Sequence, residues 1–179
     1  MKKILSKKPV AIVLCLLIVV GSTLLNTRIR LGGACRELYN SFYAPASMAY
    51  QLGQVCTEGE TLAALAEANG VDASALRYSA ESLRGMLNRE EDDASALYSG
   101  YMWLREELSS TRQQLFSANL NETDASQLRA ATDRLSALQS VISSSDYNAQ
   151  VRSFESKNNS LLTRILARLA GVNMPVEFA

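Results

Sequence analysis

The densest group of chemically versatile side chains in this sequence is the run Glu90-Glu91-Asp92-Asp93. Four neighbouring carboxylates can bind a hard cation, but calcium-binding loops also carry further oxygen ligands and a glycine at a tight turn. This run lacks both features. Negative charge also stabilises the first turn of a helix, because it faces the positive end of the helix dipole. We favour this second interpretation.

The residues that most often catalyse reactions or bind transition metals are scarce. Histidine is absent, and the cysteines are Cys15, Cys35 and Cys56. No spacing sets a nucleophile beside a general base. Cys35 and Cys56 can pair in an oxidising compartment, but their spacing does not establish a disulfide, and we expect ordinary thiols. We therefore predict a non-enzymatic protein with no catalytic residue, metal site, cofactor or small-molecule substrate.

Charge is distributed unevenly along the chain. All 18 acidic residues follow Leu25, whereas four of the 18 basic residues precede Val10, so residues 26–179 carry a net charge of −4. An acidic domain has no evident attraction for nucleic acid, because binding to phosphate depends on clustered Lys and Arg. We predict no nucleic-acid partner.

The segment Val10–Leu25 carries no charge and follows a flank that contains Lys2, Lys3, Lys7 and Lys8. An apolar helix behind a basic flank is typical of a membrane anchor, and the lipid bilayer is the first partner that it predicts. Sixteen residues cover roughly 24 Å of a hydrocarbon core of about 30 Å, so Pro9 and Asn26 would lie near its edges. The apolar side chains that we assign to the anchor are Val10, Ile12, Leu14, Leu16, Leu17, Ile18, Val19, Val20, Leu24 and Leu25.

A cleaved secretory signal would share the basic start and the apolar centre of this segment. Gly21-Ser22-Thr23 is a poor match to a cleavage site, so we predict a retained, single-pass anchor. The four lysines before the anchor outnumber Arg28, Arg30 and Arg36 after it, which favours a cytoplasmic N-terminus with the domain outside.

The remaining chain predicts an all-α protein, an antiparallel helical bundle with a long C-terminal helix, preceded by a single N-terminal transmembrane helix. We divide it into a basic flank (1–9), an anchor (10–26), a juxtamembrane segment (27–34), a helical bundle (35–171) and a C-terminal tail (172–179). Gly32-Gly33 weakens a continuous helix and predicts a bent exit from the membrane. A second possibility for the C-terminal region is a helix that bends at Ser143-Ser144-Ser145.

Apolar residues recur at three- and four-residue steps, as expected of helices that bury one face. Pro45 should kink or begin a helix, Thr57 and Glu60 form a capping-box pattern, Asp72 is a second N-cap candidate, and Gly171 predicts a helix stop. The predicted apolar stripes are Leu38, Phe42, Pro45, Met48, Leu52 and Val55; Leu76, Ala80, Leu83 and Leu87; Leu97, Tyr101, Leu104, Leu108 and Leu115; Leu128, Leu135, Leu138 and Ile142; and Tyr147, Val151, Phe154, Leu161 and Ile165.

Two groups of residues, far apart in the chain, repeat the pattern of a known family. The first group consists of Pro45, Gly53, Glu58, Glu60, Thr61 and Leu62. The second consists of Tyr147, Asn148, Val151, Gly171 and Phe178. In order and spacing they resemble the LemA family, with its Pro-centred segment, its Glu-x-Glu-Thr-Leu motif, its Tyr-Asn repeat and its C-terminal Gly-Phe tail. The resemblance implies a helical bundle on one bacterial membrane anchor, without assigned catalytic residues.

The function that we predict is a non-enzymatic scaffold or protein-interaction module at the bacterial cell envelope, with protein partners or self-association. One alternative is an accessory subunit of an envelope enzyme, and another is a secreted helical adaptor released by signal cleavage. Tyr147 and Asn148 form the most unusual pair of polar side chains. They can shape a partner-binding groove, but we favour a structural role, in which Tyr147 begins an apolar stripe and Asn148 forms hydrogen bonds locally or across helices.

Overall fold

The structure is a computed structural model and describes residues 7–90 and 93–178. Within these ranges the regular structure is entirely α-helical, which confirms the predicted fold class. The helices are α1 (Lys7–Phe42), α2 (Met48–Ala68), α3 (Ser74–Asn88), α4 (Ala94–Ser117), α5 (Glu122–Ser143), α6 (Asp146–Asn158) and α7 (Leu161–Leu169).

The first helix is continuous through Gly32-Gly33, so the weakness predicted at these glycines does not interrupt it. Glycine costs about 1 kcal/mol relative to alanine inside a helix. Packing offsets that cost, since Leu31 and Leu38 on either side of the glycines are buried. The apolar N-terminal segment therefore joins the bundle without a break in the helix.

A short connection separates α1 from α2 and contains Pro45, which is exposed. Pro45 neither kinks a helix nor begins one, because α2 begins at Met48 with Ser47 as its N-cap, so the prediction for Pro45 is wrong. The capping box at Thr57 and Glu60 is wrong, because both residues lie inside α2. Thr57 Oγ1 donates to Gly53 O at 3.1 Å, and Glu60 pairs with Arg84 at 3.1 Å. The apolar stripe of α2 is buried on both sides of this point, so tertiary packing extends the helix across a local start signal.

The core surrounds α2, which packs against α3, α4 and α5. Leu52, Leu62, Leu76 and Leu104 are completely inaccessible to solvent. Gly59 allows α4 to approach closely, because a Cβ at this position would lie 3.4 Å from Leu104 Cδ1. The predicted stripes of α3 and α4 are buried as expected.

Carboxylates lie at the starts of the two helices that follow α2. Asp72 accepts a hydrogen bond from Ser74 N at 2.9 Å, but the N-cap of α3 is Ala73, so the predicted N-cap is wrong by one residue. Asp93 is the N-cap of α4, with bonds from Ser95 N at 2.9 Å and Ala96 N at 3.2 Å. One carboxylate of the acidic run thus lies at the positive end of the α4 dipole, in agreement with the favoured interpretation. Glu91 and Asp92 lie outside the described residues.

The C-terminal region is three helices instead of one long helix. Ser145 and Ser160 are N-caps, and their hydroxyls accept bonds from Asn148 N at 3.3 Å and Thr163 N at 3.0 Å. A serine that satisfies a free N–H favours a new helix start over a continued helix. The break at the serine run is therefore the second of the two predicted possibilities.

The last apolar stripe is buried only in its first part. Tyr147, Val151 and Phe154 are buried, but Leu161 and Ile165 are exposed, so their predicted burial is wrong. They lie on a separate helix, α7, whose direction is set by a new start at Ser160. The predicted stop at Gly171 is confirmed, since α7 ends at Leu169 and Gly171 adopts a φ of +65°, which favours glycine.

Candidate functional site

The first candidate site is the apolar half of α1. Its large side chains from Val10 to Leu25 are mostly more than half exposed, and none of the residues in its most apolar 18-residue window is buried. Among the described residues, α1 is the one helix that is long and apolar enough to cross a membrane. All of the predicted anchor residues lie on this surface, although Leu24 is partly covered.

Beyond the apolar half of α1, an open cleft of about 630 Å³ separates the helix from the C-terminal tail. The exposed side chains of Arg28 and Arg36 bring positive charge to the cleft, and Val172, Met174 and Pro175 provide its apolar wall. Within residues 7–90 and 93–178, no carboxylate lines the cleft. The described lining therefore offers positive and apolar surfaces to a ligand.

The tail is held against the bundle by Asn148, whose side chain is completely buried. Its Oδ1 accepts from Phe178 N at 2.8 Å, and its Nδ2 donates to Phe178 O and to Ile142 O, the latter at 2.8 Å. One amide thus satisfies both backbone groups of Phe178 and a carbonyl at the end of α5. We call this arrangement the tail clasp.

The side chain of Phe178 fills an aromatic pocket next to the tail clasp and is completely buried. Its ring centroid lies 5.3 Å from that of Phe42, 5.7 Å from Tyr98 and 6.1 Å from Tyr147. Tyr147 also contacts Phe42, at 5.1 Å. Tilted and edge-to-face pairs at these distances are favourable beyond the area that they bury. The tail therefore closes the core where α1 ends.

No family model, curated protein or solved structure matches this chain. The assignment of a role consequently depends on the geometry of the sites described above.

The two groups of family-motif residues occupy different parts of the fold. In the first group, Leu62 is buried, Glu58 pairs with Arg134 of α5 at 2.8 Å, and Thr61 donates to Thr57 O at 2.9 Å. In the second group, Tyr147, Asn148, Val151 and Phe178 are buried between α1, α6 and the tail. The structure brings Tyr147, Asn148 and Phe178 together, but it does not join them to the Glu58 and Glu60 ion pairs.

Two buried polar side chains, Ser79 and Asn148, form hydrogen bonds that stabilise the fold. Ser79 donates to Leu76 O at 2.9 Å, and Asn148 forms the tail clasp. Cys15, Cys35 and Cys56 are free thiols, as expected. Burial raises the pKa of Cys56 to about 12, so that its thiol is protonated at neutral pH and a weak nucleophile.

Sequence reasoning missed the tail clasp as a contact. Asn148 and Phe178 are 30 residues apart, and Phe178 follows a segment without helical periodicity. Two features of the sequence pointed to these residues: Asn148 is a polar residue within an apolar stripe, and Phe178 is an isolated aromatic residue after Pro175. They indicate burial but do not identify the partner.

Stability should fall at high pH through Tyr147. Burial raises its pKa from 10.0 to about 12, and a hydrogen bond with the Val176 backbone partly opposes the rise. Because the folded state favours the neutral phenol, the contribution of Tyr147 to stability is complete below pH 10 and is lost as the pH rises towards 12. Between pH 8 and pH 12, the free energy of unfolding in urea should therefore fall less for Tyr147→Phe than for the wild type. An identical pH profile for the two proteins would contradict the assignment, and Tyr50→Phe, which changes an exposed ring, is the control.

Proposed function

We propose that this protein is a single-pass, membrane-anchored scaffold, in which the apolar half of α1 spans the bilayer and the helical bundle binds protein partners beside it. The observation that carries the proposal is the continuity of α1. The same helix exposes apolar side chains from Val10 to Leu25 and buries Leu31, Leu38 and Phe42 in the bundle. A helix that is apolar on all faces is stable when lipid surrounds it.

A non-catalytic role is part of the proposal. Supporting it, the buried polar side chains Ser79 and Asn148 form hydrogen bonds to backbone groups of the fold. The thiol of Cys56 is protonated at neutral pH, as explained above. The accessory-enzyme alternative would require a reactive group in a cleft, and in the part of the chain that the structure describes the cleft beside α1 is lined by arginines but by no carboxylate.

The LemA relationship, the bacterial envelope location and the outward orientation of the bundle belong to the same proposal. The proposed relationship depends on the order and spacing of the two groups of motif residues, of which Leu62, Tyr147, Val151 and Phe178 are buried here. The excess of lysines before the anchor supports a cytoplasmic N-terminus.

Membrane fractionation tests the anchor. We expect the full-length protein to stay in the membrane pellet through washes with high salt and alkaline carbonate, and to be extracted only by detergent. Release into the soluble extract without detergent would favour the secreted adaptor and contradict the scaffold. Protease added to spheroplasts should digest the bundle if it lies outside, whereas protection until lysis would reverse the orientation.

Crosslinking in intact membranes tests the scaffold role. Reproducible capture of one or a few polypeptides, or of a second copy, is the expected result. Recovery of lipid alone would contradict a protein-interaction function while leaving the anchor intact.

A further inference from the structure

The shortest helix, α7, presents an apolar face that the rest of the described chain does not cover. The exposed fractions are 77% for Leu161, 68% for Leu162, 49% for Ile165 and 67% for Leu169. At about 100° per residue these four side chains share one side of the helix. Exposed apolar clusters of this kind mark a surface that contacts a partner or a membrane.

The opposite side of α7 is attached to α1. Ala167 is 1% exposed and belongs to a small buried cluster with Leu31, Leu38 and Phe154. On the helical projection Ala167 lies about 180° from the centre of the apolar face. One side of α7 therefore packs against α1, and its apolar side points away from that contact.

The place of attachment is close to the expected edge of the bilayer. The anchor ends near Asn26, at the edge of the hydrocarbon core. Leu31 in the α7 contact lies five residues further along α1, about 7.5 Å, which is the depth of the headgroup region. The aromatic pocket around Phe42 lies 11 residues beyond Leu31, at the other end of this half of α1.

Charge at this end of the bundle complements an anionic membrane surface. α7 contains Arg164 and Arg168 and no acidic residue, and both arginines are exposed. Arg28 and Arg30 on α1 are exposed at the same level as its contact with α7. Apolar residues beside arginines on one short helix are the pattern of a helix that lies in the membrane interface.

We propose that α7 is a second membrane contact, which lies beside α1 at the edge of the bilayer that α1 crosses and presents Leu161, Leu162, Ile165 and Leu169 to the surrounding lipid. Arg164 and Arg168 then face anionic headgroups. This inference rests on the proposed anchor, because the anchor fixes the distance between α7 and the bilayer.

Tryptophan quenching by brominated lipids in proteoliposomes tests the proposal. The full-length protein would carry Trp103→Phe, to remove its one native tryptophan, and then a single new tryptophan at Leu162 or at Leu169. Bromines on the upper acyl chain should remove roughly half of the emission from either position, because interfacial helices bury their apolar face by about 5–10 Å. Two reference positions complete the design. Leu17→Trp, at the middle of the anchor, reports on the span through lipids brominated near the ends of the acyl chains. Phe116→Trp, 61% exposed on α4, reports on the bundle surface with either lipid.

The reference positions separate the two hypotheses. Quenching at Leu17, Leu162 and Leu169 but not at Phe116 supports an interfacial α7. Quenching at Leu17 alone overturns the α7 proposal and keeps the anchor, whereas no quenching at Leu17 overturns the anchor itself. Emission from the α7 positions that is blue-shifted without lipid quenching, and that depends on protein density in the vesicles, would assign this face to a second copy and also overturn the proposal.

Discussion

Leu17→Arg combined with Val20→Arg should release the protein from the membrane. Each arginine at the centre of a transmembrane helix raises the free energy of insertion by about 2.5–3.5 kcal/mol, so the pair should cost about 5–7 kcal/mol. Both native side chains are more than half exposed and neither touches the bundle core. Insertion should therefore fail while the bundle still folds.

The measurement is the fraction of protein that remains in the membrane pellet after an alkaline carbonate wash. The matched control is Phe116→Arg with Val141→Arg, which places the same charges on exposed apolar positions of α4 and α5. The control should remain in the pellet like the wild type. Equal retention of the Leu17/Val20 variant would show that α1 is not the anchor, and circular dichroism of both variants checks that their helices have formed.

Asn148→Leu is expected to lower the free energy of unfolding by about 2–6 kcal/mol. Leucine has a similar volume but cannot form hydrogen bonds, so Phe178 N and Phe178 O lose their partner in a buried environment. Ile142 O keeps a second donor, Ser145 N at 3.3 Å. Each unsatisfied buried group costs about 1–3 kcal/mol. Opening of the tail limits the total loss, because water can then reach these groups. Urea unfolding of the full-length protein in detergent measures the effect.

Asn158→Leu is the matched control for the tail clasp. Asn158 is half-buried, and its Nδ2 donates to Phe154 O at 2.9 Å within its own helix. Its replacement should cost less than about 1.5 kcal/mol, as for a single local hydrogen bond. Phe178→Ala should also destabilise the protein, and the double variant with Asn148→Leu should lose less than the sum of the two, since both changes free the same tail. Full additivity, or a loss for Asn148→Leu no larger than for Asn158→Leu, would contradict the tail clasp.

The sequence was most informative where burial has a helical period. Leu76, Leu83, Leu97 and Leu104 were predicted as core residues from their spacing, and all four are buried. Their helices pack with one face inward, so the apolar residues recur in the sequence with the period of the helix. The apolar, uncharged character of Val10–Leu25 was visible for the same reason, without any knowledge of tertiary contacts.

Local signals failed where packing decided the outcome. The Thr57 and Glu60 pattern is typical of a helix start, yet the buried stripe of α2 continues through it. Gly32-Gly33 predicted a bend, but the contacts of Leu31 and Leu38 with α6, α7 and the tail maintain the helix. Leu161 and Ile165 have the spacing of core residues, and spacing alone does not say whether the chain itself covers them. The contact between Asn148 and Phe178 joins residues that are 30 apart, and it leaves no periodic pattern in the sequence.

If α1 spans a bilayer as proposed, its continuity also determines how the bundle would respond to that bilayer. With no flexible hinge between the apolar segment and the buried Leu31, the bundle and the span would move as one rigid body. A transmembrane helix tilts when the thickness of the bilayer changes. In a bilayer, such a change would therefore rotate the surface of the bundle relative to the lipid plane, and any partner held there would be reoriented with it.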